Sequence, residues 1–138
     1  MFRQTDMYIK CRNEQQFKNL YVKKEIETDG LYAFCVESES TVLGFPDVMT
    51  VDYKDGHKAK FYEFKYSNKN GMIKFQPTQP AFYRQHLGLD IMISAYNCKT
   101  NTVHLFSSFD LFDPLSPYCL NEKAEINLSF VERKFYTW

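Results

Sequence analysis

The 138-residue sequence lacks three features that would assign it to a particular environment: a long apolar run, closely spaced cysteines and an excess of one charge. Eighteen consecutive apolar residues occur nowhere, and the N-terminal segment MFRQTDMYIKCRNEQQ contains no apolar stretch of signal-peptide length. We therefore expect a soluble protein of the cytoplasm that has no membrane partner.

Cysteine and histidine, the residues that most often bind zinc, are few and scattered. No CxxC pair is formed by the four cysteines, which are Cys11, Cys35, Cys98 and Cys119. This scatter argues against a structural zinc site and favours reduced thiols. Metal-ligand spacing is also missing from the three histidines, so we expect structural or surface roles for His57, His86 and His104.

Motifs for nucleotide binding and for nucleophilic catalysis are absent as well. The sequence contains no glycine-rich phosphate loop, no nucleophilic serine or cysteine motif and no dinucleotide fingerprint, so we expect no nucleotide cofactor. Repeats, low-complexity tracts and linkers are missing too. A length of 138 residues by itself predicts a single domain over residues 1–138, which buries about two-thirds of the surface of its unfolded chain.

Acidic and basic residues balance at 17 each, so the formal net charge is zero. This balance argues against a protein that coats nucleic acid by charge alone. The window from Lys54 to Lys74 is nevertheless locally basic, with six lysines against Asp55 and Glu63. Charge alone leaves two interpretations open, a solvated hairpin rim and a surface that faces phosphates.

Apolar periodicity predicts an α/β fold in the order α-β-β-β-α-β-β. Helical spacing of Phe17, Leu20 and Tyr21 indicates the first helix, and Gly30 ends it. A helix between the third and fourth strands implies that these strands are parallel within a mixed sheet flanked by helices. The predicted bounds are helices at 13–28 and 77–88 and strands at 31–36, 48–53, 58–66, 90–97 and 102–108.

The C-terminal extension, residues 109–138, has a weaker pattern than this core. FDLF, at 109–112, is expected to begin a short helix. From Pro114 onward, the pattern leaves a strand, a helix and a dimer arm open for the tail INLSFVERKFYTW.

The segment GFPDVMTVDYKDGHKAKFYEFKYS, residues 44–67, is predicted to form a β-hairpin. Two registers compete. A two-residue Asp55-Gly56 loop puts Asp47 opposite Phe64, whereas a three-residue loop that also includes Lys54 puts Asp47 across from Glu63. We favour the three-residue loop.

In the favoured register, charged and aromatic side chains of the second hairpin strand lie on opposite faces. Glu63 and Lys65 project together from one face. The other face, which packs on the core, is formed by Tyr62, Phe64 and Tyr66. Asp47 and Glu63 would then be about 5 Å apart at Cβ. Two carboxylates at this distance suit Mg²⁺, which stabilises charge on a phosphate and lowers the pKa of an attacking water.

Pro46-Asp47, followed after a hairpin by Glu63-Phe64-Lys65, resembles the motif of the PD-(D/E)xK nuclease superfamily. The resemblance implies that Asp47 and Glu63 bind the metal, with the backbone carbonyl of Phe64 as a further ligand. It also implies that Lys65 assists the nucleophilic water.

The resemblance covers about residues 13–108 and implies a restriction-endonuclease-like fold. The opening Gly44-Phe45-Pro46-Asp47 looks like the Holliday-junction-resolvase and VRR-NUC branches, as does a glutamine at the start of the following helix. The strand ISAYN followed by VHLFSS looks like the bacterial and phage junction resolvases. A bacterial or phage-infected host cell is the location that this similarity implies.

The resemblance implies two further catalytic residues, and for each of them the sequence offers another residue that could take the same role. Glu14 matches an acid that many members place on the first helix, and Glu37 or Glu39 competes with it. Gln79 matches the glutamine of a later motif, and Gln76 competes with it. We expect nucleic acid to contact a basic and aromatic set, Lys58, Lys60, Lys69, Lys74, Tyr83 and Arg84.

The function predicted from this resemblance is a Mg²⁺-dependent endodeoxyribonuclease, with Mn²⁺ as a substitute, that cuts branched or duplex DNA such as Holliday junctions. Because symmetric cutting of two strands needs two active sites, a homodimer is expected. The alternative is a non-catalytic module, such as a phage accessory factor, that keeps the fold to bind DNA or protein.

Overall fold

A six-stranded sheet with helices on both faces forms the centre of the molecule, in the strand order β1-β2-β3-β5-β6-β8. The computed structural model describes residues 9–35, 44, 46–52, 54, 56 and 58–138. Its elements are α1 (Glu14–Tyr21), β1 (Tyr32–Cys35), β2 (Val48–Asp52), β3 (Lys58–Tyr66), β4 (Met72–Lys74), α2 (Thr78–Gln85), β5 (Ile91–Asn97), β6 (Thr102–Ser107), β7 (Glu125–Asn127) and β8 (Lys134–Tyr136).

The sheet is mixed, as the sequence predicts. β3 and β5 are parallel, and α2 lies in the connection between them. The other neighbouring pairs are antiparallel. The predicted α/β fold class is therefore confirmed.

The C-terminal residues form short elements that the sequence pattern left open. β7 pairs with β4 in a separate two-stranded sheet, and β8 pairs with β6 at the edge of the main sheet. Short 3₁₀ turns lie at Ser108–Phe112, where FDLF was predicted to begin a helix, and at Leu128–Phe130. None of the helices in the described ranges has the length and apolarity of a membrane span.

α1 begins at a capped end and packs by one face. The Asn13 side chain accepts a hydrogen bond from the Gln16 backbone N–H at 2.8 Å, which satisfies one of the free amides of the first turn. Phe17 and Tyr21 are buried against the sheet. The helix continues through a π-helical turn and a 3₁₀ turn to Gly30, whose φ of 78° is typical of a helix end.

Two apolar clusters, one on each face of the sheet, hold these layers together. The cluster under α1 includes Phe17, Tyr21, Val48, Phe64, Tyr96 and Val103. The cluster under α2 includes Phe75, Phe82, Tyr83, Ile91, Ile93 and Leu111, together with residues of β7 and the tail. Because side chains alternate along β3, Phe64 faces the first cluster while its neighbours Glu63 and Lys65 face the α2 side.

His104 on β6 is buried and has hydrogen bonds that suit a neutral ring. Nδ1 lies 3.0 Å from the Val131 carbonyl oxygen, which only accepts, so Nδ1 carries the proton. Nε2, 2.8 Å from the Thr102 hydroxyl, is then the acceptor. Desolvation lowers the pKa of His104 below its ordinary value of 6.5.

This buried histidine makes the protein sensitive to mild acid. As pH falls below 6.5, the unfolded chain takes up a proton that the folded ring resists, so the free energy of unfolding decreases until the lowered pKa is reached. The loss is at most about 1.4 kcal/mol per pH unit. We expect urea titrations between pH 7.5 and 5 to show that the free energy of unfolding of the wild type falls relative to that of His104→Gln, a difference in which the contributions of other titrating groups cancel. Titration of the His104 ring at or above 6.5 by NMR would contradict this assignment.

Candidate active site

The hairpin of β2 and β3 has the register that places two acids opposite each other. Val48 faces Tyr62, and Asp52 faces Lys58. One further step along this register puts Asp47 across from Glu63, which confirms the favoured register. The loop-flanking residues 53 and 57 lie outside the described residues.

Asp47 is fixed to the neighbouring strand by a main-chain hydrogen bond. The Phe64 backbone N–H donates to Asp47 Oδ2 at 3.0 Å. Pro46, directly before it, is buried. The carboxylate of Asp47 is therefore attached to β3 at the residue that follows Glu63.

Glu63 is a buried carboxylate with an unsatisfied oxygen. The residue is 3% exposed, and its Oε1 has no hydrogen-bond partner among the residues that the structure describes. Desolvation raises the pKa of Glu63 well above its usual value, and the adjacent Asp47 carboxyl group raises it further. Without a bound cation, this pair of acids costs stability.

Lys65 is held beside this pair by α2. It is 8% exposed, and its Nζ donates to Gln79 Oε1 at 2.7 Å and lies 4.8 Å from the centre of the Phe75 ring. The same Gln79 oxygen accepts from the Gln76 backbone N–H at 2.9 Å. Of the two glutamines that the sequence left open, Gln79 is thus the one whose side chain contacts Lys65, while Gln76 is exposed.

Glu14 lies at the start of α1, close enough to the carboxylate pair to interact with it. Partial desolvation and then the charge of Asp47 raise the pKa of Glu14, whereas Lys65 acts in the opposite direction. Its side chain is nevertheless exposed. Its competitors, Glu37 and Glu39, lie outside the described residues.

Tyr83 is buried, which contradicts its predicted position on a surface that binds nucleic acid. Its side chain is 2% exposed, and within the described part of the chain its hydroxyl group has no hydrogen-bond partner. Desolvation and the charges of Glu63 and Asp47 raise its pKa, so its hydroxyl group lies near these acids. The spacing of four residues from Gln79, which puts both on one helix face, is the sequence signal that links Tyr83 to the site.

The other residues predicted to bind nucleic acid are exposed but dispersed. The Arg84 guanidinium lies 4.9 Å from the centre of the Phe112 ring. Four lysines lie on β3, on the following loop and on β4: Lys58, Lys60, Lys69 and Lys74. Their exposure is compatible with contact to phosphates, and their charge is spread over several elements.

The chemistry of the carboxylate pair fits a hard divalent cation. Asp47 and Glu63 are two oxygen donors, and a bound cation would give a partner to Glu63 Oε1, which has none among the described residues. Over the described ranges, no group of three or more His, Cys, Asp or Glu residues is arranged to hold a metal ion. A cation here would therefore depend on two carboxylates, a backbone carbonyl and water.

Comparison with known proteins supports the fold. No family model matches the chain, and a sequence search of curated proteins finds no match. Among solved structures, the chain is similar to Hjc, a Holliday junction resolvase from the archaeal hyperthermophile Archaeoglobus fulgidus. The TM-score is 0.56 with 16% sequence identity, over 87% of this chain and 92% of that chain. The likeness shows that the two chains share a mixed α/β fold.

Glu63→Gln is expected to stabilise the metal-free protein at pH 7.5, because an amide of the same shape removes a buried negative charge. We expect the thermal midpoint to rise on the order of 5 °C, for a penalty of about 1–2 kcal/mol. Since a raised pKa means that the folded state binds the proton first, the wild type recovers stability as pH falls from that raised pKa towards 4.5. The gain from Glu63→Gln should therefore shrink as the pH is lowered.

The exposed residue Glu122 provides a matched control, since Glu122→Gln removes the same charge at the surface. We expect no change in its midpoint beyond about 1 °C. Equal midpoints for wild type and Glu63→Gln at pH 7.5 would show that the Glu63 carboxylate carries no burial penalty.

Proposed function

We propose that this protein is a metal-dependent endodeoxyribonuclease of the PD-(D/E)xK type that hydrolyses phosphodiester bonds in branched DNA. The observation that carries this proposal is the meeting of Asp47, Glu63 and Lys65 at one point of the sheet, in a fold shared with a junction resolvase. The overall reaction adds water across one P–O bond and leaves a phosphate monoester and a hydroxyl group.

Asp47, Glu63 and the backbone carbonyl of Phe64 are the groups that would hold Mg²⁺ or Mn²⁺. When bound, such a cation stabilises charge on the scissile phosphate and lowers the pKa of water. Lys65 contributes a fixed positive charge, because Gln79 and the Phe75 ring restrict its position. A fixed ammonium group at this point neutralises charge that develops on the phosphate without reorganising.

Branched DNA is the proposed substrate because the similar protein Hjc is a Holliday junction resolvase. Duplex DNA is the broader class. We further propose a cytoplasmic homodimer of the bacterial or phage resolvase type, since two strands are cut by two sites. Glu14 completes the acidic set from α1, where the charge of Asp47 already acts on it.

A second candidate is a non-catalytic module that binds DNA or protein through the same fold. The zero net charge favours this candidate, because a DNA-binding nuclease usually gains affinity from an excess of positive charge. The burial of Glu63 beside Asp47 favours the enzyme, since this pair of carboxylates destabilises a protein that never binds a cation.

Divalent cations are expected to stabilise the wild type. A ligand of the native state at 100 times its Kd adds about 2.7 kcal/mol, so Mg²⁺ or Mn²⁺ should raise the thermal midpoint by several degrees. Asp47→Asn and Glu63→Gln should lose this shift, and Glu122→Gln should keep it. A shift that is the same in all four proteins would place cation binding elsewhere.

Cleavage is expected to depend on the same residues. A labelled panel of four-way junction, flap, duplex, single strand and RNA is incubated with Mg²⁺ or Mn²⁺. We expect the wild type to cut branched DNA, and Asp47→Ala, Glu63→Ala and Lys65→Ala each to reduce the rate at least about 100-fold. Glu122→Gln should cut at the wild-type rate.

DNA binding is measured on the same panel by fluorescence anisotropy. Binding without cutting by the wild type would favour the non-catalytic module. Full cleavage by Asp47→Ala or Glu63→Ala would remove these residues from the site.

A further inference from the structure

Gly44 makes an unusually close backbone contact with the first turn of α2. Its φ of 85° is in the left-handed region. A Cβ atom at this position would lie 2.2 Å from the Thr78 carbonyl oxygen and 2.9 Å from Phe82 Cβ. The Gly44 backbone therefore approaches α2 more closely than a residue with a side chain permits.

This contact joins the two segments that carry the candidate site. Gly44 lies three residues before Asp47, and Thr78 directly precedes Gln79. We propose that Gly44 is a positioning residue, which sets the distance of α2 from the carboxylate pair and so holds Gln79 against Lys65. The inference rests on the proposed function and assigns to Gly44 a role in the same reaction.

α2 is the element that would yield if a side chain were added. Asp47 accepts a hydrogen bond from the Phe64 N–H of β3, and the residues that follow Asp47 are paired with β3 along the whole of β2. The added Cβ would instead meet the backbone of the first turn of α2, at the Thr78 carbonyl group. A Cβ at residue 44 would therefore displace Thr78 and, with it, Gln79.

The added Cβ is expected to affect the position of Lys65 but not that of the carboxylate pair. Lys65 loses the acceptor that fixes its ammonium group, because Gln79 Oε1 is the atom to which Nζ donates. The carboxylates of Asp47 and Glu63 stay together on the hairpin. Gly44→Ala should thus slow catalysis while cation binding is kept.

Gly56→Ala is the matched control for backbone strain. Gly56 also has a positive φ, of 66°, but a Cβ atom there would meet nothing within 4 Å. The two variants therefore share the cost of a left-handed alanine, and only Gly44→Ala collides with α2. If Gly44→Ala fails to fold, Gly44→Asn takes its place, because asparagine tolerates this backbone better and still brings the colliding Cβ.

The experiment measures kcat on the DNA that the wild type cuts, for Gly44→Ala, Gln79→Ala, their double variant and Gly56→Ala. We expect kcat to fall about 10- to 100-fold in Gly44→Ala, with the Mn²⁺-induced rise in thermal midpoint retained. Gly56→Ala should stay within about twofold of the wild type. In the Gln79→Ala background, Gly44→Ala should add no further loss, because both changes remove the same contact.

A second readout, which needs no activity, is the ¹⁵N NMR signal of the Lys65 ammonium group, assigned by its loss in Lys65→Ala. It should change in Gly44→Ala and in Gln79→Ala but not in Gly56→Ala. An unchanged Lys65 signal in Gly44→Ala, or losses of kcat that multiply in the double variant, would overturn the inference. If the wild type cuts no DNA, the proposed function fails, and the Lys65 signal alone decides the role of Gly44.

Discussion

The burial of the Glu63 carboxylate beside Asp47 is the constraint on which the rest of the site depends. A negative charge at this depth needs a partner, and one oxygen of Glu63 has none among the described residues. The hairpin register brings the two acids together, and the Phe64 amide keeps Asp47 in place. The chain thus uses ordinary strand pairing to hold an arrangement that is unfavourable by itself, as functional sites commonly do.

The two faces of the sheet differ in composition, and this difference offsets the cost of the buried carboxylate. The face under α1 is packed with aromatic rings, such as Phe17 against Phe64 and Tyr96, and this packing anchors β3 from behind. Because this packing holds β3 in the sheet, Glu63 and Lys65 can lie on the face under α2 without destabilising the strand. Alternation along one strand therefore separates the residues that stabilise the fold from those of the candidate site.

The hairpin, its register and the parallel pairing across α2 could be predicted from the sequence because local rules decide them: loop length fixes the register, and a crossover helix fixes strand direction. The contact of Lys65 with Gln79 and the burial of Tyr83 depend instead on how α2 packs over the sheet, which no pattern of spacing determines. For a similar reason the sequence pattern missed the short strand β4 and left β7 and β8 undecided. Each has three residues and is defined by a distant partner in the chain.

The pairing of β8 with β6 has a consequence for the solubility of the protein. Lys134–Tyr136 covers the outer edge of β6, whose Thr102–His104 segment would otherwise expose unpaired backbone amides and carbonyls. Uncovered strand edges are templates for pairing with other chains, which leads to aggregation or domain swapping. The open edge of the sheet is thereby reduced to a strand of three residues, which is a poor template for pairing with other chains, and Trp138, stacked on Phe17, attaches that strand to the core.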